Sequence, residues 1–330
     1  DVHGDDLVIG THGRGIWILD NISALRQLDP SSASATQLFE PAAAILYREA
    51  DFTGTPLPKD EPMAANPRSG AQIDYRLGND VKSPVTLSIR AADGSAVRHW
   101  TSAQAPAKID LSKIGSAPEW IEQATPLAIS KGMHRFIWSL HYPSATDIKE
   151  PYADGIWAPP GRYSAELTVD GQTHTQSFTV VADPRINLPD SAYKASFALA
   201  RKIETLQVQV GKASEEAGAL RKSLVEKRTS KMGAVNRKKL DAFETRLNAI
   251  AGSTPAANPF NAWSVPPKSI QSLTWLDRAL GQLLTAVDGA DAAPSPDSEA
   301  GYKKLAALVE QTLDRWKQFD EDSKRASAPM

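Results

Sequence analysis

The 330-residue chain contains no cysteine, and this absence excludes disulfide bonds, thiolate metal sites and cysteine nucleophiles. It also lacks a long apolar run, since no stretch approaches the ~20 residues that a membrane-spanning helix needs. Its formal net charge of −2 gives no overall attraction to nucleic acid or to an anionic membrane. We therefore expect no membrane span and no nucleic-acid partner. The histidines and carboxylates near the start of the chain, His3, Asp5, Asp6 and His12, show no fixed ligand spacing, and we expect no metal and no cofactor.

Two short runs of β-forming residues, 7–9 and 16–19, stand at the start of the chain and flank a glycine-rich stretch. They predict a β-hairpin, which is marginal in water on its own because one apolar face stays uncovered. We therefore expect residues 1–40 to belong to a larger sheet and to pack against protein outside this chain. The proline-rich residues 41–70 that follow predict a linker.

Residues 71–183 alternate between apolar and polar side chains, as strands with one buried face do. The pairs Asp93-Gly94 and Asp170-Gly171 interrupt this alternation, and both residue types tolerate the positive φ of tight hairpin turns. Several short strands separated by such turns are typical of an immunoglobulin-like antiparallel β-sandwich.

Beyond residue 190 the apolar spacing lengthens from 2 to about 3.5 residues, which predicts helices. The first stripe has intervals of 4 and 3 and consists of Leu206, Val210, Ala213, Ala217, Leu220 and Leu224. Three further stripes follow, so residues 184–330 predict an antiparallel helical bundle. The basic residues 221–239 are interpreted as the solvated tip where two of these helices meet, rather than as a nucleic-acid site.

The segment GTHGRGIWILDNISALRQL, residues 10–28, resembles the last blade of the large bacterial β-propellers with BNR-type repeats, which are related to the sortilin propeller. Segments 85–100, 132–142 and 158–185 resemble the Ig-like module of the same proteins. The resemblance implies a closing propeller-blade segment, an Ig-like sandwich and a helical end. It also implies a secreted or periplasmic location and, as partner, the upstream propeller portion of a parent protein.

Members of this family are often labelled glycosyl hydrolases, and the resemblance leaves His12 and Arg14 as candidate catalytic residues of the parent. A purely structural alternative stays open for this segment. In it, the glycines form a turn at positive φ, and Arg14 contacts a neighbouring blade. Glycoside hydrolysis needs two carboxylates beside the scissile bond. No sequence context pairs any two of the available carboxylates, which are Asp20, Asp74, Asp147, Glu150 and Asp154.

Tyr152 and Trp157 lie in a loop rich in proline and glycine, and aromatic faces of this kind stack on sugar rings. They are the candidate carbohydrate-binding residues. Trp138, in contrast, alternates in phase with Phe136 and Leu140 and is predicted to lie in the core.

Taken together, these patterns predict a multidomain β and α protein that serves as a non-catalytic accessory or interaction region with a protein or glycan ligand. Two alternatives stay open at this point. The chain is part of a sialidase-like glycoside hydrolase, or it contains a carbohydrate-binding module.

Overall fold

The computed structural model describes residues 1–13, 15–29, 31, 35–48, 68–106, 108, 124–146, 152–229, 234–252 and 271–327. The chain divides into two compact units, Asp1–Asp190 and Ser191–Met330. In the described ranges, the first unit holds the strands and the second holds only helices. None of the helices in these ranges combines the length and the apolar character of a membrane span.

The first unit is built from short strands and one short helix, α1 (Ser23–Arg26). The strands in its described part are β1 (Val2–His3), β2 (Asp6–Gly10), β3 (Ile16–Leu19), β4 (Gln37–Leu38), β5 (Ala44–Leu46), β6 (Ala71–Leu77), β7 (Thr86–Ala91), β8 (Ala96–Thr101), β9 (Gly132–Trp138), β10 (His141–Pro143), β11 (Asp154–Trp157), β12 (Gly161–Val169) and β13 (Gln172–Ala182).

Four sheets are formed by these strands, in the orders β1-β2-β3, β4-β6-β9, β10-β11 and β5-β13-β12-β7-β8. All pairings are antiparallel except that of β5 with β13. The hairpin predicted at the start of the chain is present as β2 and β3, with Leu7 opposite Leu19 and Gly10 opposite Ile16.

Aromatic side chains join the β4-β6-β9 sheet to the five-stranded sheet. Trp138 on β9 meets Tyr163 on β12 and Phe178 on β13 edge-on, with ring centroids 5.3 and 6.1 Å apart. Phe136 meets Trp100 on β8 in the same way at 4.8 Å. Such edge-to-face pairs add to the stability gained from burial alone. Trp138 is fully buried, so its predicted place in the core is confirmed.

Two strands lie where the sequence suggested other structure. β4 falls at the end of the predicted blade segment, residues 1–40, but pairs with β6 of another sheet. β5 falls in the predicted linker, residues 41–70, and pairs with β13. Ala44 and Leu46 are buried while Ile45 between them is exposed, which is the strand pattern. Three residues are too few for this alternation to be recognised among prolines.

The second unit contains the long helix α2 (Asp190–Thr229), followed by α3 (Ala234–Ala251), α4 (Leu273–Asp288) and α5 (Pro296–Ser327). Burial of Val210, Ala213, Ala217 and Leu224 confirms most of the apolar stripe predicted on α2. Polar contacts also join the helices. The Ser196 hydroxyl on α2 donates to the Val287 carbonyl oxygen on α4 at 2.8 Å.

Candidate functional site

The glycine-rich turn that carries the candidate catalytic residues is exposed throughout its described part. The Thr11 N–H and hydroxyl both donate to the Gly15 carbonyl oxygen, at 3.1 and 2.8 Å, and Gly13 and Gly15 have φ of +79° and +84°. His12 lies exposed on this turn, and Arg14 lies outside the described residues. The role predicted for these two residues in a glycosidase therefore stays a prediction.

The described carboxylates that were considered for glycoside hydrolysis do not form a pair with one another. Asp74 and Asp154 form ion pairs with arginines, at Arg135 and Arg98. Asp147 and Glu150 lie outside the described residues. Within the part of the chain that the structure describes, no group of three or more histidine and carboxylate side chains has the arrangement of a metal site.

Tyr152 lines a cavity of about 290 Å³ in the first unit, to which strands β8, β9 and β11 contribute. We call it the arginine cavity after the residue type that recurs in its wall. The lining residues that bear on its chemistry are Arg68, Arg98, Arg135, Trp100, Phe136, Ser139, Tyr152 and Asp154. The sequence pointed to Tyr152 alone among them as a binding residue.

Arg98 is deeply buried in this wall, with 2% of its side chain exposed. Its Nη1 donates to the Asp154 carboxylate, and its Nη2 donates to the Ala153 carbonyl oxygen at 3.0 Å. Its guanidinium carbon also lies 5.2 Å from the centre of the Trp100 ring. A buried charge is costly unless it is paired and hydrogen-bonded. These contacts pair the charge of Arg98 through Nη1 and Nη2, whereas its buried Nε makes no hydrogen bond among the described residues.

Arg135 lies on β9, opposite Asp74 on β6. Its Nε and Nη2 donate to the two carboxylate oxygens of Asp74 at 2.8 and 2.9 Å. The same guanidinium donates to the carbonyl oxygens of Asp20 and Asn21 at 2.9 and 2.7 Å. Arg135 thus contributes to the arginine cavity and also holds the chain that leaves β3.

Trp157 does not line the arginine cavity, so the structure does not bring together the two predicted sugar-binding aromatics. Its ring lies against His141, with centroids 3.8 Å apart, and the Arg48 guanidinium carbon is 4.8 Å from its centre. Both predicted aromatics thus make contacts within the chain, and Tyr152 is the one of the two that lines the cavity.

His141 lies between Trp157 and the acidic side of the cavity. Burial lowers the pKa of His141 below its ordinary value, and this effect outweighs the opposing effect of the nearby Asp154 carboxylate. The Nδ1 of His141 lies 2.7 Å from the Ser139 carbonyl oxygen, an acceptor, so Nδ1 carries the proton of a neutral ring. The histidine is thus held in one tautomer beside the cavity.

Sequence reasoning missed the arginines and Ser139. Arg98 lies in a strand pattern in which an arginine is usually solvated, and its partner Asp154 is 56 residues away along the chain. Arg135 and Asp74 are separated by 61 residues. No local spacing connects such pairs, so only the fold reveals them.

Comparisons with protein-family models, with curated proteins and with solved structures found no match to this chain. The resemblance to BNR-type propellers therefore rests on the sequence segments alone, and what it implies about function is a proposal.

Proposed function

We propose that this chain is a non-catalytic interaction region that docks onto further β-structure through its first sheet. The observation that carries the proposal is the exposure of β3. Ile16, Trp17, Ile18 and Leu19 are 73%, 43%, 56% and 46% exposed. Successive side chains of a strand point to opposite faces, so both faces of β3 are apolar and open. Strands with two apolar faces are typically covered on both sides.

The outer edge of β3 supports the same proposal. In the order β1-β2-β3, this strand pairs only with β2 among the described residues. An exposed apolar edge strand offers unpaired N–H and C=O groups to another chain and is an aggregation hazard unless it is covered. A further strand that binds here gains hydrogen bonds from the edge and apolar burial from both faces.

The occupant that we propose is the preceding portion of a BNR-type β-propeller. A propeller blade is a four-stranded sheet that packs face to face with its neighbours. The β1-β2-β3 sheet has three strands, so one more strand at β3 completes a blade. The resemblance of residues 10–28 to a closing blade supports this choice, and the secreted or periplasmic location is part of the same proposal.

The proposal extends to the architecture of the rest of the chain. We interpret the two sheets joined by Trp138 as an Ig-like sandwich and helices α2–α5 as an antiparallel bundle. Edge-on contacts of Trp138 with Tyr163 and Phe178 support the first interpretation. The hydrogen bond from Trp316 Nε1 on α5 to Glu216 on α2, at 2.9 Å, supports the second.

The test is a binding experiment with the polypeptide encoded upstream of Asp1, expressed separately. We expect it to form a one-to-one complex with this chain in sedimentation velocity. The double change Ile16→Lys/Ile18→Lys places two charges on one face of β3 and should weaken the complex by at least about tenfold. The matched control is Val208→Lys/Val225→Lys on α2, which alters two exposed apolar residues of the helical unit.

Three results contradict the proposal. One is the absence of a complex, and another is equal weakening by the β3 and α2 double variants. The third is self-association of the chain alone that the β3 variant abolishes, because β3 is then covered by a second copy rather than by a propeller.

A further inference from the structure

We propose that a second cavity, on the five-stranded sheet, is a binding site for a singly charged sulfate ester, such as the sulfate groups of a sulfated polysaccharide. Its volume of about 480 Å³ lies within the range of small-molecule sites, roughly 300 to 1,000 Å³. We call it the β12 cavity, and the lining residues that bear on its chemistry are Arg90, Arg162, Ser164, Glu166 and Ser177. The inference goes beyond the docking function, because none of these residues belongs to the β1-β2-β3 sheet.

The polar side chains of the β12 cavity stand on the face of the sheet that points away from the core. Along β12, Tyr163 and Ala165 are buried, whereas Ser164 between them is not, as strand alternation requires. Ser164 pairs with Arg90 on β7 and with Ser177 on β13. The cavity therefore receives hydrogen-bond donors from three adjacent strands.

Several of these donors are not used by contacts within the chain. Arg162 is exposed and makes no hydrogen bond or ion pair with another described residue. The hydroxyl groups of Ser164 and Ser177 likewise have no hydrogen-bond partner in the part of the chain that the structure describes. A guanidinium offers five N–H donors and each serine hydroxyl offers one, so a ligand with several acceptor oxygens suits this wall.

The charges of the lining favour an anion with a single negative charge. Arg90 Nε donates to the Glu166 carboxylate at 2.7 Å, and Arg90 Nη1 donates to the Gly94 carbonyl oxygen at 3.3 Å. Because Arg90 and Glu166 neutralise each other, Arg162 leaves one net positive charge among the described lining residues. The Glu166 side chain is 27% exposed and repels a second negative charge on a ligand.

A sulfate ester matches both the charge and the arrangement of the donors. It carries one negative charge on tetrahedrally directed oxygens, which can accept hydrogen bonds from Arg162 and from both serines. A carboxylate has its oxygens in one plane and suits a single guanidinium fork better than donors from three strands. A phosphate monoester carries a charge of about −1.5 to −2 at neutral pH, which Glu166 disfavours.

Titration of the whole ¹⁵N-labelled chain, followed by NMR, tests the inference with four sugars that differ only at carbon 6. They are galactose 6-sulfate, galactose, galacturonate and galactose 6-phosphate. We expect galactose 6-sulfate to shift the amide signals of residues 90–94, 162–166 and 177. It should bind at least about threefold more tightly than galacturonate or galactose 6-phosphate, and galactose should cause no shift.

Substitutions locate the site. Arg162→Gln removes the unbalanced charge and Ser177→Ala removes a hydroxyl donor, and each should weaken the binding of galactose 6-sulfate by at least about threefold. The matched controls are Arg278→Gln, at an exposed arginine on α4, and Ser214→Ala on α2. Neither control residue lines the cavity, so both variants should bind as the unchanged chain does. Near-UV circular dichroism of every variant checks that the fold is kept.

Three outcomes overturn the inference. The first is that galactose 6-sulfate leaves the amide signals around the β12 cavity unshifted. The second is equal affinity for galacturonate or galactose 6-phosphate, which identifies an unselective anion site. The third is equal weakening by Arg162→Gln and Arg278→Gln. None of these results bears on the docking proposal, which the Ile16→Lys/Ile18→Lys variant tests separately.

Discussion

Arg135 on β9 binds Asp74 on β6 through two hydrogen bonds, and the same guanidinium holds the carbonyl oxygens that follow β3. Only 8% of the Asp74 side chain is exposed, so the carboxylate fixes the plane of the guanidinium from the buried side. One ion pair thus ties the β1-β2-β3 sheet to the β4-β6-β9 sheet. It also sets one wall of the arginine cavity.

Arg135→Lys should loosen the start of the chain. Lysine keeps the charge but cannot donate in two directions in one plane, so the contacts to Asp20 and Asn21 are lost. We expect a loss of about 1–3 kcal/mol in the free energy of unfolding, measured with urea. Hydrogen exchange should quicken in residues 16–22.

The control is Arg90→Lys. Arg90 pairs with Glu166, and their side chains are 41% and 27% exposed, so this variant should lose less than about 1 kcal/mol in the free energy of unfolding. Equal losses for the two variants would argue against a special role of Arg135.

His141 should make the stability of the first unit depend on pH. Its pKa is lower in the folded chain than the ordinary 6.5, chiefly through burial, so the unfolded chain takes up the proton more readily. The stability that the neutral ring contributes is fully present above pH 6.5. It is lost as the pH falls from 6.5 through the lower folded pKa.

The free energy of unfolding, measured in urea between neutral and mildly acidic pH, should therefore fall more steeply in the unchanged chain than in His141→Gln. His3→Gln serves as the control, because His3 is exposed on β1. A slope that His141→Gln leaves unaltered would show that this ring does not carry the effect.

Two glycines of the helical unit should respond in opposite directions to alanine. Gly252 follows the last residue of α3 with φ of +87°, and an added Cβ lies 2.8 Å from Thr274 Oγ1 and 2.9 Å from Ser272 Oγ. Gly252→Ala should therefore destabilise the unit by about 1–2 kcal/mol. Gly218 lies exposed inside α2, with open space where the Cβ would stand. Gly218→Ala should stabilise it by about 0.5–1 kcal/mol, because alanine favours the helix.

Thermal unfolding of both glycine variants gives the comparison directly. The midpoint should fall for Gly252→Ala and rise for Gly218→Ala. A fall for Gly218→Ala, or an unchanged midpoint for Gly252→Ala, would contradict the prediction at that site.

Local patterns accounted for much of the secondary structure. Asp170 and Gly171 both adopt positive φ between β12 and β13, as the residue pair predicted. The 3.5-residue spacing from Leu206 onward identified the buried stripe of α2. Turn conformation and helical periodicity depend on neighbours within a few residues, so the sequence carries them directly.

Short strands and the cavity could not be predicted in this way. β5 is three residues long and gains its stability from pairing with β13, more than a hundred residues later. Tyr152 was found because its loop composition is distinctive. Its neighbours Arg98 and Arg135 look like ordinary solvated strand residues until the fold brings Asp154 and Asp74 beside them.

By itself, the amino-acid sequence determined where the chain turns, where strands give way to helices, and that the opening hairpin has an apolar face in need of cover. Only the tertiary structure decided that both faces of β3 stay exposed within the described chain and that three arginines line one cavity. The reason is physical. Backbone preferences act over a few residues, whereas burial and charge pairing depend on which distant segments meet.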